Sequence, residues 1–269
     1  MYFLSVVLIG TVYPIFLDVI SSQKISVGPP FYHKLIAPFL IPFLFAMAIG
    51  PSLKWIRSDL KDKIYLISLL IISILISFFI VKNFNKNVLI NTILISSALY
   101  LFYITLRDFF NKKYKNFAQN TAHFGFSLLI LSILFNNLFS SEIITNLRVG
   151  ETYDNSKTKI VFESINQKNE KNYKSIVANF NIINSKGINN NLSPELRIYN
   201  QPNITTSEAD IKTTLMKDKF IVINLVQNQD YFNVRYQVKP FMLWIWLSVI
   251  LISFGGLMSF FKKRIRKKN

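Results

Sequence analysis

The chain alternates between long unbroken apolar runs and short polar connections, and then changes character once. Six runs are long enough, or nearly so, for the roughly 20 residues that a helix needs to cross a hydrocarbon core of about 30 Å. They are Tyr2 to Leu17, Leu35 to Leu53, Ile64 to Val81, Val88 to Leu106, Phe117 to Phe139, and Phe241 to Phe261. The first lacks the basic start and small-residue cleavage site of a signal peptide and carries Pro14 near its end, so it reads as a span. From Ser140 to Lys239 the pattern becomes polar, Asn-rich and nearly charge-balanced, with short alternating stretches: "TKIVFESI", "KSIVANFNII", "ELRIYN", "KFIVINLV" and "YFNVRYQV". Their β-branched and aromatic content, broken by stretches such as "NSKGINNN", predicts a small antiparallel β domain.

The expected fold is an α-helical integral membrane protein with about six transmembrane helices and a small β domain. Residues 1–139 form a five-span region, 140–239 the β-rich domain, 240–261 the final span and 262–269 a basic tail. Composition agrees: 51% of the 269 residues are hydrophobic and 25 are Phe. The bias toward Ile, Asn, Lys and Phe points to an AT-rich genome, such as that of an organelle or a reduced bacterium.

The formal charge of +17 lies mostly beside the apolar runs. Lys54, Arg57, Lys61 and Lys63 follow the second span, Arg107, Lys112, Lys113 and Lys115 the fourth, and Lys262, Lys263, Arg264, Arg266, Lys267 and Lys268 the sixth. The other connections hold only Lys24, Lys34, Lys82 and Lys86. Fourteen basic residues against four, on alternating sides, encode an orientation rather than a nucleic-acid surface. Both termini are expected inside, and the β domain on the outer (periplasmic or intermembrane-space) side.

Cysteine is absent, which excludes disulfides, thiolate metal sites and cysteine nucleophiles. Candidate chemistry falls to two histidines. His123, in "NTAHFGFSLLILSI", lies about two turns into the fifth span, where an ionisable group is costly unless paired, hydrated or bound to a ligand. Gly125 beside it leaves room for a flat group against the backbone. Axial ligation of a haem iron and a hydrogen bond joining two helices are both open to such an imidazole. His33, in "KISVGPPFYHKL", falls in an outer connection that water can reach, where Pro29 and Pro30 are expected to hold off the second helix and Gly28 to ease the backbone. Glu195, Glu208 and Asp210, in "SPELRIYN" and "TTSEADI", read as solvated loop residues. Before the last span, Trp244 and Trp246 fit the headgroup level, and Gly255 and Gly256 would permit close helix packing. Nucleotide loops, catalytic triads and paired-carboxylate signatures are absent from the sequence.

In order and spacing, "GTVYP", "KISVGPPFY", "AIGPSLKW", "AHFGFSLLILSI", "LRIYNQPNITTSEADI" and "VKPFMLWIWLSVILISFGGLM" resemble the C-terminal part of the CcmF family, the haem lyase component of system I cytochrome c maturation. The resemblance implies a machine that joins reduced haem to apocytochrome c, receiving haem from the chaperone CcmE while CcmH-type proteins present the apocytochrome. It also implies a b-type haem within the membrane, with His123 in the position of one axial ligand. The family's tryptophan-rich outer platform, the partner histidine and the two outer haem histidines belong upstream of the matching part. The expectation is therefore one piece of a split protein, working with an N-terminal CcmF piece in a mitochondrial or, alternatively, a bacterial inner membrane. Its catalytic residues are unassigned, since upstream residues are better placed to contact the substrate haem. His33 receives no ligand role, and Leu196 stands where the family carries a lysine. The competing expectation is a non-catalytic scaffold or transport subunit. The Pro and Gly residues of the first two spans have no counterpart in the second half, which disfavours a symmetric transporter.

Overall fold

The computed structural model describes residues 1–21, 25–50, 60–84, 87–110, 117–185, 187–226 and 229–266. Several basic residues of the orientation argument (Lys24, Lys54, Arg57, Lys86, Lys112, Lys113, Lys115, Lys267 and Lys268) and the expected end of the second span at Leu53 lie outside them. The chain divides into two compact units, Met1–Leu131 with Ser248–Asn269, and Ser132–Leu247.

The described residues form six helices: α1 (Tyr2–Ser21), α2 (Pro29–Ile49), α3 (Leu60–Lys82), α4 (Val88–Phe110), α5 (Phe117–Phe139) and α6 (Met242–Arg266). Each contains a stretch long and apolar enough to cross a membrane, and the chain is an integral membrane protein. Half of the apolar stretch of α4 is buried, against 11% of that of α1, so α4 is the central helix of the first unit. Ala98, Tyr100, Leu101 and Ile104 supply its buried side chains, and Leu44 and Ala48 are fully buried on α2. Helix α1 docks on α2 through close ring contacts, Tyr2 with Phe39 at 4.2 Å and Phe3 with Phe43 at 6.0 Å. Gly10 makes room for Tyr32, whose hydroxyl lies 2.7 Å from where a Cβ would stand.

The second helix corrects one expectation. Pro29 and Pro30 do not precede it but open it, with Gly28 as the N-cap residue. Proline suits the first turn because its missing N–H would have no intrahelical acceptor there, and its fixed φ is already helical. His33 and Lys34 consequently sit in the first turns of α2 rather than in a connection.

Among the described residues ten strands form, all between Ser141 and Pro240, and they pair antiparallel in two sheets. One orders β1 (Ser141–Leu147), β10 (Phe232–Pro240), β9 (Lys217–Leu225) and β8 (Asp210–Thr213). The other orders β2 (Thr152–Asp154), β3 (Thr158–Asn169), β4 (Tyr173–Asn184), β6 (Glu195–Tyr199) and β7 (Thr205–Glu208), with β5 (Asn189–Leu192) also on β4. Between the sheets lies a dry core of Ile160, Phe162, Phe180, Ile182, Leu192 and Leu196 from one side and Ile221, Ile223, Val234 and Tyr236 from the other. Phe162 and Phe180 stack with centroids 4.4 Å apart. Burial pushes the Tyr236 phenol up to about 12. The "NSKGINNN" stretch is a break only in its first half. It turns at Gly187, whose φ is +70°, and then becomes β5, where Leu192 enters the core.

The two glycines of α6 are not equivalent. A Cβ on Gly255 would stand 2.7 Å from the Ala122 backbone nitrogen and 2.8 Å from the Ala118 carbonyl oxygen, whereas one on Gly256 would meet nothing within 4 Å. Gly255→Ala should therefore lower stability in detergent by about 1–3 kcal/mol, and Gly256→Ala should leave it unchanged or slightly raised. Thermal unfolding of the two variants, side by side, checks both.

Candidate functional site

Helix α5 presents three faces, and each has a different fate. At about 100° per residue, Phe117, Asn120, Phe124 and Ser127 share one face, and it packs on α4. Ser127 Oγ and Thr105 Oγ1 are 2.7 Å apart, and Asn120 donates to the Asp108 carbonyl at 2.9 Å. Phe124 lies against Phe102 and Phe109, with centroids 5.6 and 5.4 Å apart. Ala118, Ala122 and Gly125 form the second face, which receives α6. A Cβ on Gly125 would come within 2.9 Å of the Ile252 backbone nitrogen. The space beside Gly125, read from sequence as room for a flat ligand, is thus filled by the α6 backbone.

Gln119, His123, Phe126 and Ile130 make up the third face. Phe126 meets Phe43 of α2, with ring centroids 6.1 Å apart. His123 is partly buried and forms no hydrogen bond with another described residue, so the helix-joining role is not taken up among them. Its imidazole stands on the side of α5 away from α6, within electrostatic reach of Asp108 at the end of α4. Such a group needs a partner in a membrane, and a ligand or another polypeptide can supply one.

His33 does not share that position. It lies about 6 Å along α2 from its start, and His123 about 9 Å along α5 from its own start. The alternating topology expected from the sequence puts three crossings between the two starts, and so would place the histidines near opposite membrane faces. Over a helix of about 34 Å they are separated by about 20 Å, too far to ligate one metal ion together. Among the described residues no group of three or more His, Asp or Glu could hold a metal ion.

Glu195, Glu208 and Asp210 are on strands, which corrects the loop reading. Glu195 of β6 lies directly opposite Glu208 of β7. Sequence pattern hid this because both strands are short and polar on their outward face. Like charges at facing positions repel, and each carboxylate has its own partner. Ser175 donates to Glu195 Oε2 at 3.0 Å and Arg197 Nε at 3.1 Å, while Thr206 donates to Glu208 Oε1 at 3.1 Å. The Arg197 guanidinium also lies 5.1 Å from the centre of the Tyr173 ring. Asp210, on β8, accepts the Ser193 backbone N–H at 2.6 Å. These are structural ties of sheet edges, and the three carboxylates do not converge. Leu196, between Glu195 and Arg197, is 1% exposed and points into the core.

Comparison with known proteins gives a consistent result. Residues 138–240 match the family model described as the CcmF C-terminal beta-sandwich. The cytochrome c-type biogenesis protein CcmF of Pseudomonas fluorescens is 26% identical over 98% of this chain and 42% of its own length. CcmF of Escherichia coli is 24% identical over 98% of this chain and 42% of its own. CycK of Bradyrhizobium diazoefficiens, also a cytochrome c-type biogenesis protein, is 23% identical over 97% and 43%. Among solved structures, "Cytochrome c Heme Lyase CcmF" superimposes with a TM-score of 0.69 at 19% identity, covering 95% of this chain and 43% of that one. The chain therefore spans less than half the length of these relatives, and its likeness is to the C-terminal part of CcmF, as its motifs led us to expect.

The Thr105–Ser127 contact sets how α5 is turned. A double-mutant cycle with Thr105→Val and Ser127→Ala should return a coupling of about 0.6 kcal/mol, rising to no more than about 2 kcal/mol, in thermal unfolding in detergent.

Proposed function

We propose that this chain, which matches the C-terminal part of CcmF along nearly its whole length, works in cytochrome c biogenesis as that part of a CcmF-type haem lyase. In this reading the complex attaches haem covalently to apocytochrome c. The chain acts beside an N-terminal CcmF part, a CcmH-type protein and the haem-carrying chaperone CcmE. The β domain faces the periplasm or intermembrane space, and the helices lie in a mitochondrial inner membrane. The charge distribution along the connections supports that orientation.

The observation that carries the proposal is the position of His123. It is on a face of α5 turned away from α6, and it makes no hydrogen bond with another described residue. A neutral imidazole there can hold the iron of a b-type haem. The haem, when bound, would supply an electron carrier within the membrane. The second axial ligand must come from outside this chain or from a second copy, because His33 belongs near the opposite membrane face. Catalytic contact with the substrate haem is assigned to residues beyond this chain.

The test is optical. The chain is purified from its native membrane together with its N-terminal partner, and the reduced-minus-oxidised spectrum is recorded for wild type and His123→Ala. Loss of the b-type bands in the variant, with the complex still assembled, is the expected result. An unchanged spectrum would remove the ligand assignment and favour a scaffold or transport role in which this chain does not ligate the haem. His33→Ala should leave the bands in place.

A further inference from the structure

The membrane-proximal end of the first sheet carries a concentration of positive charge that the reading above does not use. The β8–β9 hairpin ends where α6 begins. Its turn residue Leu215 accepts the Trp244 indole N–H at 3.0 Å, and the Met216 carbonyl accepts the Phe241 N–H at 2.9 Å. Phe241 takes up a left-handed backbone, φ +61°, to make that junction. Leu215 and Met216 are 60% and 54% exposed, beside a tryptophan in the first turn of a membrane span. Apolar side chains at that level fit the headgroup–acyl boundary.

Immediately above them three lysines share one face. In β9, Lys217 and Lys219 alternate with the same phase as the core residues Ile221 and Ile223. Lys212 of β8 is the register partner of Lys219, so it points to the same side. With about 3.3 Å per strand residue, all three fall within about 10–15 Å of the hairpin turn. The headgroup layer on each side of a bilayer is about 5–8 Å thick, so Lys217 lies at its level and the others border it.

Lys219 is the informative member. It is 5% exposed and forms no hydrogen bond or ion pair with another described residue. Burial, and then the neighbouring charges of Lys217 and Lys212, push its ammonium group below the usual lysine range. The nearby acids do not relieve it. Asp210 shares that face, opposite Ile221, but its carboxylate accepts the Ser193 N–H at 2.6 Å, and Asp218 alternates to the opposite face, where its register partner is Lys239. Three cations on one face, with the one carboxylate that shares it engaged by a backbone N–H rather than by a lysine, form a socket for a phosphate.

We infer that Lys212, Lys217 and Lys219 hold the phosphate of an anionic phospholipid in the adjoining leaflet, with Leu215 and Met216 seated among its acyl chains. The site would fix the β domain against the bilayer surface, and it is independent of the haem assignment.

The experiment uses the full chain with Trp55→Phe and Trp246→Phe, leaving Trp244 as the sole indole and reporter. The protein is placed in nanodiscs of phosphatidylcholine containing a minor fraction of either brominated phosphatidylglycerol or brominated phosphatidylcholine. Quenching of Trp244 by the brominated anionic lipid should exceed that by the brominated neutral lipid, reflecting a local enrichment of roughly fivefold per lysine engaged. Lys212→Gln with Lys217→Gln, both at exposed positions, should abolish most of that excess. Lys219→Arg should retain it, and Lys168→Gln with Lys174→Gln, in the β3–β4 hairpin, should not affect it. An excess that survives the Lys212/Lys217 change overturns the proposal. So does an excess that millimolar inorganic phosphate removes, because the socket would then serve a soluble anion.

Discussion

The close approach of α5 and α6 is the constraint on which the rest of the helical unit depends. Gly125 and Gly255 bring the two helices so near that a single Cβ at either position would touch the other backbone. Hydrophobic burial gives no preference for helix over lipid inside a bilayer, so such contacts rest on dispersion between closely fitted surfaces. Once α6 fills one side of α5 and the Phe102, Phe109 and Phe124 cluster fills another, the orientation of every remaining α5 side chain is set. The placement of His123 on the third side follows from this packing alone.

The β domain is held by different physics. Its sandwich buries aromatic and branched side chains from two sheets, in a core that does not require lipid. The first and last strands pair with each other, and Glu142 takes hydrogen bonds from Gln237 and Arg235 across that seam. These bonds hold the Glu142 carboxyl below its usual range, Gln237 contributing most. The same seam brings the end of α5 beside the start of α6, where Asn136 donates to the Pro240 carbonyl at 2.5 Å.

Much of this was legible in the sequence, and the exceptions have physical causes. Six apolar stretches are unmistakable because a bilayer demands length as well as apolarity. Strands β3, β4, β6, β9 and β10 announce themselves by alternation, since one face of each meets the core, whereas β1 ("SEIITNL") carries no such signal. Strands β5, β7 and β8 do not, being four residues each and polar: "NNNL" buries Asn190 and Leu192, and "DIKT" leaves Ile211 57% exposed. Short edge strands are defined by their partners rather than by their own residues. Helix α2 was misread at its start because proline forbids the interior of a helix but favours its first turn. His123 could be singled out from its depth in an apolar run. The side it faces depends on glycine contacts with a helix more than a hundred residues later, which no local pattern carries.

The pairing of β1 with β10 also has a consequence for the timing of synthesis. Glu142 and Gln237 are 95 positions apart. At about 5–20 residues per second, β1 waits roughly 5–20 s after it is made before its partner exists. Throughout that interval five helices are already complete, while the strand that follows them has an open edge. The order of synthesis therefore places the insertion of α6 directly after the closing of the sheet that β1 began.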